Sequence, residues 1–173
     1  MTNSKQIIFF EIHPIREKDR DLLSSFLSSF WHSDRMVARG KLFYPAMQEG
    51  YIAWRENEMI GLATYEINGE EMELTLLDSR ERNQGVGSRL VEEVIAKAKQ
   101  AHCRRVWLVT TNDNIRAIRF YQKRGFDLVS LHRHALEASR KLKPEIPLTG
   151  QEGIPIRHEL EFEITLRAPA SPG

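Results

Sequence analysis

The sequence predicts an α/β protein whose mixed, mostly antiparallel sheet has a strand–helix–strand crossover at its centre and helices on both faces. Three observations predict this class. Short segments with strand-like alternation, joined by tight turns, lie between residues 51 and 78. An amphipathic helix pattern follows over 86–100, and an almost continuous apolar run, 106–110, comes next. Such a run is typical of a buried strand in a parallel pair, so 71–110 should be a right-handed crossover.

Composition and charge narrow the class of protein. Of the 173 residues, 41% are hydrophobic and 28% are charged, as in a globular domain. We expect a single domain over 1–166 and a flexible tail over the Pro- and Ala-rich segment 167–173. A net charge of +1 gives no attraction to nucleic acid or membrane, so neither is an expected partner. The lone Cys103 and an N-terminal apolar run, 7–10, that is too short for a signal peptide predict a cytoplasmic protein.

The first elements are a strand over 7–15 and a helix that Asp19 or Asp21 could cap. Apolar residues of this helix recur at helical spacing and form one stripe. They are Leu22, Leu23, Phe26, Leu27 and Phe30. Residues 31–45 show no clean period, and we expect short helical pieces and loop there.

An antiparallel meander comes next. Segments 51–55 and 59–67 flank a three-residue turn, and the Asn-Gly pair at 68–69 is a strong signal for a two-residue hairpin before the third strand, 71–78. Strict alternation in this third strand predicts two faces. Glu73, Thr75 and Leu77 would lie on one face, and Met72, Leu74 and Leu76 on the other.

The crossover is followed by a helix over 114–124, which Gly125 should close in a left-handed conformation. Strands are predicted at 126–132 and 154–166, separated by a segment that is long for a hairpin. The last strand has one apolar face, formed by Leu160, Phe162 and Ile164. Its other face carries Glu159, Glu161 and Glu163, and we expect a solvated surface there rather than the wall of an acceptor pocket.

The stretch RNQGVGSRL, 82–90, places two glycines and two arginines where the crossover helix begins. A helix N-terminus leaves backbone N–H groups unpaired and carries partial positive charge, and glycines let an anion approach those groups. The stretch lacks the Gly-Lys-Ser/Thr ending of a Walker loop and the third glycine of a dinucleotide fingerprint. The glycines alone leave a phosphate cradle and a plain tight turn equally open.

Two motifs together narrow this choice. Residues 82–87, RNQGVG, have the form Arg/Gln-x-x-Gly-x-Gly/Ala at a strand-to-helix junction. Residues 114–126, NIRAIRFYQKRGF, have the form Asn-x-x-Ala-x-x-hydrophobic-Tyr-x-Lys-x-Gly-Phe. At this separation the pair resembles the GNAT superfamily of acyl-CoA-dependent N-acetyltransferases. The resemblance spans 7–132 in element order and is strongest over 71–126.

The resemblance implies acetyl-CoA as co-substrate. It implies that the glycine loop holds the pyrophosphate and that the pantetheine arm runs along the preceding strand, where the central strands splay apart. Asn114 would hydrogen-bond the pantetheine, although the trio at 112–114 also offers candidate helix caps. The cofactor-binding residues implied are Leu76, Leu77, Arg82, Gln84, Gly85, Val86, Gly87, Ser88, Arg89, Asn114 and Phe120.

Two residues are candidates for catalysis. Tyr121 matches the tyrosine with which this family protonates the leaving thiolate, although it could also simply pack in the core. Glu73 is the best candidate for the base, directly or through water, because a glutamate in a central strand is costly to bury unless it is paired or functional. The alternative for Glu73 is an exposed or salt-bridged side chain.

The expected acceptor is a primary amine on a small molecule or a peptide, and the expected assembly is a monomer or a homodimer. The alternative function is an acyl-CoA-binding sensor of the same fold without turnover. His132 and His134 would share a strand face, but no nearby Cys, Asp or Glu completes a ligand set in the sequence. We therefore expect no metal.

Overall fold

The computed structural model describes residues 9–81 and 83–166. Strands β1, β4, β5, β6, β7, β8 and β9 are Glu11–Pro14, Glu49–Arg55, Glu58–Asn68, Glu71–Ser79, Arg105–Thr111, Asp127–His132 and Glu159–Thr165. A separate hairpin consists of β2 (Met36–Ala38) and β3 (Lys41–Phe43). The helices α1, α2, α3 and α4 are Arg20–Trp31, Val86–Gln100, Ile115–Gln122 and Ala135–Leu142.

The main sheet confirms the predicted class. Within the described residues it has seven strands in the order β1-β4-β5-β6-β7-β9-β8. Its strands pair antiparallel except β6 and β7, which are parallel and joined through α2. The meander and the crossover are therefore where the sequence predicts them. No helix in the two described ranges is both long and apolar enough to cross a bilayer.

Helices cover both faces of the sheet. Leu90 and Val94 of α2 are fully buried and share a cluster with Ala63, whereas Leu23 and Leu27 of α1 are fully buried against a second cluster. Neighbouring residues of a strand point to opposite faces of the sheet. Two consecutive residues of β5 pack in different clusters, so α1 and α2 lie on opposite faces of the sheet. These consecutive residues are Leu62, in the α1 cluster, and Ala63, in the α2 cluster.

The prediction for 31–45 is wrong in part, because this segment contains the β2–β3 hairpin rather than helical pieces. Arg39 and Gly40 occupy its turn with φ of 52° and 67°. Positive φ at both central residues is the requirement of a type I′ turn, which Asn-Gly signals more clearly than Arg-Gly. Three-residue strands are too short to show an alternation in the sequence.

Other boundaries also shift. The first two residues of the predicted strand over 7–15 lie outside the described residues, and so does the predicted tail, 167–173. The last strand begins at Glu159 rather than at 154, after a segment that contains Pro155, which lacks a backbone N–H. The long connection before it contains α4 and a 3₁₀ turn. Gly125 adopts a φ of +83°, which confirms the predicted helix end.

The strict alternation predicted for β6 is wrong after Leu74. Tyr65 pairs with Leu74 and Thr64 pairs with Leu76, so Thr75 is the extra residue of a β-bulge. The bulge reverses the faces that follow: Leu76 packs in the α1 cluster and Leu77 packs against the α2 cluster. Glu73 and Thr75 stay on the same side as α1, lining one cavity.

Candidate functional site

The two central parallel strands separate soon after they meet. Their ladder has three pairs and ends at Glu73 opposite Trp107, although β6 runs on to Ser79 and β7 to Thr111. Beyond this pair the β7-facing edge of β6 has no neighbouring strand among the described residues. The bulge at Thr75 lies at the same level. The splay that the family resemblance implies is present, and it leaves backbone hydrogen-bonding groups of β6 open to another partner.

The glycine loop follows the C-terminal end of β6, just before α2 begins. Gly85 is the N-cap residue at φ +80°, and an added Cβ there would have no atom of the described residues within 4 Å, so the loop is open on that side. Within 9–81 and 83–166, no side chain caps the N-terminus of α2, and its first turn contains no acidic residue. Its first backbone N–H groups therefore remain available to an anion. Next in the helix, Val86 and Gly87 are buried.

Charged and polar side chains around the loop take different partners. The Oε1 atom of Gln84 accepts a hydrogen bond of 2.8 Å from Arg55, which also pairs with Glu81, so Gln84 braces the loop. The exposed Arg89 lies 3.7 Å from a carboxylate one turn further along its own helix. Arg82, predicted to bind the cofactor, lies outside the described residues.

Arg124 is a residue near the loop that sequence reasoning missed. Its guanidinium lies over the Phe120 ring, 3.4 Å from the centroid, and its Nε donates to Ser88 Oγ at 3.0 Å. Burial lowers the pKa of Arg124 from its ordinary value. The ring of Phe120 also stands 3.3 Å from where a Cβ of Gly87 would be, so α3 packs closely against the loop. The basic residue before Gly125 in the second motif was the signal available.

Tyr121 lies in the core cluster that also contains Val86 of α2. Its side chain is 7% exposed and packs edge-on against Phe120 and Phe126. Burial raises the pKa of the Tyr121 phenol above its ordinary value. Among the described residues the hydroxyl has no hydrogen-bond partner. The phenol therefore stays protonated and has a proton to donate, while its ring has the packing role that the sequence left open.

Asn114 is the residue of its trio that caps α3. Its Oδ1 accepts a hydrogen bond of 3.1 Å from the backbone N–H of Ala117. The two other members brace the loop before β9: Asp113 accepts from the backbone N–H of Gln151, and Asn112 donates to the backbone carbonyl of Pro155. The amide nitrogen of Asn114 is the part of this side chain that the cap leaves for a ligand.

A cavity of about 520 Å³ lies on the α1 side of the sheet, where β6 and β7 begin to separate. Sheet residues form its floor and the β2–β3 hairpin forms its roof. The lining residues are Ala38, Arg39, Lys41, Phe43, Glu66, Asn68, Glu73, Thr75, Arg105, Trp107, His132 and Glu161. It is a polar chamber of a size that holds small ligands.

Glu73 faces this cavity without an ion-pair or hydrogen-bond partner in the described part of the chain. Burial raises the pKa of the Glu73 carboxyl, and Glu66 raises it further, whereas the cations Lys41 and Arg39 oppose the change. The neighbouring Thr75 hydroxyl is engaged, donating to Gln48 Oε1 at 2.6 Å. Glu73 is thus neither the exposed nor the salt-bridged residue of the alternative reading, and a raised pKa is the usual property of a carboxylate base.

The acidic face of β9 is not solvated, contrary to the sequence-based expectation. Glu159 is 2% exposed and Glu161 is 8% exposed, because this face lies beneath the hairpin. Arg105 of β7 donates to Glu161 at 3.1 Å, and it also binds Glu163 and Glu71. The sequence contains these residues, but nothing in it shows that β9 inserts next to β7.

The two histidines do not share a strand face. β8 ends at His132, and His134 has a φ of 60° at the start of α4. The Nε2 atom of His132 lies 2.8 Å from Glu161, whereas His134 meets Glu137 and His158 on the other side of the turn. The kink between them turns the second ring away, which corrects the prediction of a common face.

Arg105 is expected to be a stability residue. We expect Arg105→Met to lower the free energy of unfolding by about 3 kcal/mol at pH 7. The half-buried Glu71 and Glu163 lose their cation. The buried Glu161 loses one of its two guanidinium partners. Burial alone would raise the pKa of Glu161, but hydrogen bonds from His132 and Arg105 outweigh it and hold that pKa below its ordinary value. The contribution of the ionised Glu161 to the free energy of unfolding is therefore present at neutral pH. It is lost as the pH falls through the lowered pKa of Glu161.

Urea unfolding at pH 7 and at acid pH measures this effect, and the difference between wild type and Arg105→Met should shrink in acid. Arg104→Met is the matched control, because Arg104 forms an exposed pair with Glu70 at 3.0 Å. The control should change stability by less than about 0.5 kcal/mol. Equal losses for both variants would contradict the role of Arg105.

Comparison with known proteins decides the family. The model of the acetyltransferase (GNAT) family matches residues 16–126. The chain belongs to this family. Membership of the GNAT family supports acetyl transfer as the activity of this protein. The uncharacterized protein YdhI of Bacillus subtilis (strain 168) is 41% identical over 152 residues, which cover 87% of this chain and 95% of YdhI.

Solved structures show the same fold. A GNAT family acetyltransferase from Elizabethkingia anophelis with acetyl-CoA bound is 21% identical, with a TM-score of 0.64 over 91% of this GNAT chain and 98% of the other. The ribosomal-protein-S18-alanine N-acetyltransferase from Escherichia coli is 13% identical, with a TM-score of 0.66 over 95% and 99% of the two chains.

Proposed function

We propose that this protein transfers an acetyl group from acetyl-CoA to a primary amine by direct attack within a ternary complex. One observation supports this most strongly: β6 parts from β7 immediately after Glu73, whose side chain has no ion-pair or hydrogen-bond partner among the described residues, and β6 then leads to an open glycine loop. The gap gives a thioester a place beside the strand, and it lies between a candidate anion site and a candidate base.

The backbone would hold most of the cofactor. In this proposal the N–H groups at the start of α2 bind the pyrophosphate, and the pantetheine arm pairs with the open edge of β6 at Leu76 and Leu77. Arg124 and the amide of Asn114 add polar contacts, and Phe120 packs beneath the loop. The residues assigned to the pyrophosphate are Arg82, Gln84, Gly85, Val86, Gly87, Ser88 and Arg89.

The chemistry would follow from proton transfers at two residues, Glu73 and Tyr121. Glu73 accepts a proton from the acceptor ammonium, directly or through water, and the neutral amine attacks the thioester carbonyl. The backbone N–H near Leu77 donates to the developing oxyanion. The carbon–sulfur bond breaks, and the thiolate takes the phenol proton of Tyr121. The nitrogen gives up its extra proton, which restores the Tyr121 phenol through water, and the products are an N-acetylated amine and coenzyme A. No covalent enzyme intermediate is needed.

The relatives support acetyl-CoA as the donor, and they do not narrow the class of acceptor amine. One neighbour binds acetyl-CoA, and another is named for an alanine of a ribosomal protein, so the proposed acceptor is a small-molecule or peptide amine. A panel of primary amines, assayed by thiol release from acetyl-CoA, tests the proposal. Release that depends on an amine would support it. Thiol release that no amine accelerates would refute it.

Tyr121→Phe separates turnover from cofactor binding. We expect kcat to fall by about 10²-fold, because the leaving thiolate loses its proton donor. The Michaelis constant for acetyl-CoA should move little, and stability should change little, since the hydroxyl has no partner among the described residues. Steady-state kinetics measure kcat and the Michaelis constant, and thermal unfolding measures the stability. Full activity would dismiss the acid role, and it would leave Tyr121 with its packing role alone.

A further inference from the structure

The hairpin that roofs the cavity is tied to the sheet at its tip. The backbone N–H of Arg39 lies 3.1 Å from both carboxylate oxygens of Glu159, and its guanidinium donates to Glu161 at 3.0 Å. The base of the hairpin has a separate tie, from Lys143 Nζ to the carbonyl of Arg35 at 2.9 Å. The tip can therefore be released while the base stays attached.

The hydrogen bonds at the hairpin tip offset the cost of burying two carboxylates. Glu159 and Glu161 are among the most buried charged residues described, and a carboxylate out of water is destabilising unless it is paired. The hydrogen bonds recorded for Glu159 come from the backbone of Arg39. Lifting the tip would leave Glu159 without these bonds, so the carboxylates favour the closed hairpin.

We propose that the β2–β3 hairpin is a latched roof over the acceptor cavity and that Arg39 is the positioning residue that holds it closed. The inference rests on the proposed function, because the cavity is taken as the place of the acceptor amine. The latch confines the amine above Glu73, and it brings the cations of the hairpin toward that carboxylate. Arg39 acts through Glu159 and Glu161 and needs no contact with the reacting atoms.

The charges that face Glu73 come from several elements. The hairpin supplies Arg39 and Lys41, which favour the ionised carboxylate. Glu66 of β5 and Glu159 of β9 oppose ionisation. The remaining titratable groups of the cavity are Arg105, His132 and Glu161. Releasing the tip moves Arg39 away from Glu73, whereas Lys41 is also held by Glu66 at 3.1 Å. Loss of the Arg39 charge should raise the pKa of Glu73 further.

Hydrogen exchange tests the latch itself. We expect the amides of 36–43 to exchange about tenfold faster in Arg39→Gln than in the wild type, because the tip opens more often. Glu159→Gln should have the same effect by weakening the backbone hydrogen bonds. Arg104→Gln, which removes the same charge from an exposed pair, should leave this segment unchanged. Unchanged exchange in both latch variants would overturn the proposal.

Kinetics test the positioning role, with the amine of the panel that gives the fastest thiol release. In Arg39→Gln we expect the Michaelis constant for that amine to rise about tenfold, with that for acetyl-CoA unchanged. The acid limb of the kcat/KM profile should move to higher pH, which loss of stability alone would not cause. Arg39→Gln should raise this Michaelis constant less in a Glu161→Gln background than in the wild type, because the two side chains share one ion pair. An unchanged amine Michaelis constant would overturn the positioning role.

The two proposals fail in different ways. If no amine is acetylated, the proposed function fails, and the exchange experiment still decides whether Arg39 latches the hairpin. If amines are acetylated but Arg39→Gln affects both Michaelis constants equally, the function stands and the latch is refuted as a positioning device.

Discussion

Glu73→Gln is expected to lower kcat/KM for the amine on the order of 10²- to 10⁴-fold, the contribution of a positioned base. Glutamine keeps the size of the side chain and removes its ability to take a proton from the ammonium. The affinity for acetyl-CoA should not change, because the base faces the cavity on the α1 side and the glycine loop lies beyond the other end of β6. Steady-state kinetics and calorimetry measure the two quantities.

The pH profile gives an independent check of this base. A base works in its deprotonated form, so activity rises with pH through the pKa of Glu73, which burial raises above its ordinary value. The wild type should therefore show an acid limb above the usual range of a glutamate, and Glu73→Gln should lose it. Glu70→Gln is the matched control, because Glu70 is exposed at the neighbouring turn. A retained limb in Glu73→Gln would assign the base to another group.

Gly85→Glu is expected to weaken acetyl-CoA binding on the order of 10²- to 10³-fold. The φ of +80° costs any side chain about 1 kcal/mol, but the space around the site is open, so the variant can fold. A carboxylate beside a bound phosphate would repel it by about 4 kcal/mol at a separation of ~4 Å. Titration calorimetry with acetyl-CoA measures the loss.

Gly85→Ala is the control for this experiment. Alanine carries the same backbone strain without the charge, so the difference between the two variants isolates the repulsion. We expect alanine to change stability about as much as glutamate does and to change affinity far less. Equal affinities for acetyl-CoA in the folded glutamate and alanine variants would refute the phosphate cradle.

The sequence predicted those parts of the site that local signals encode. The turn at 68–69, the helical stripe of α2 and the two motifs are all short-range patterns, and the structure confirms the elements that carry them. The loop at Gly85 lies in the first of these motifs. The splay was predicted only by the family resemblance, since no spacing in the sequence shows it.

The missed features depend on contacts between distant segments. The bulge at Thr75 appears only in the register with β5, so no alternation within β6 could show it. The buried state of Glu159 depends on a hairpin tip 120 residues earlier, and that of Glu161 depends on the same tip and on Arg105 of β7. An alternating acidic strand has the same pattern whether water or a guanidinium faces it, which is why the solvated face was the wrong expectation.

The position of β9 has a consequence for the order of assembly. β9 lies between β7 and β8 and pairs with both, although it follows them in the chain. While the nascent polypeptide is still being synthesised, β8 has no strand to dock on until residues 159–165 leave the ribosome. We expect ribosome-stalled chains that stop short of residue 159 to keep the β7–β8 portion sensitive to protease, even where the meander over 49–79 is already resistant.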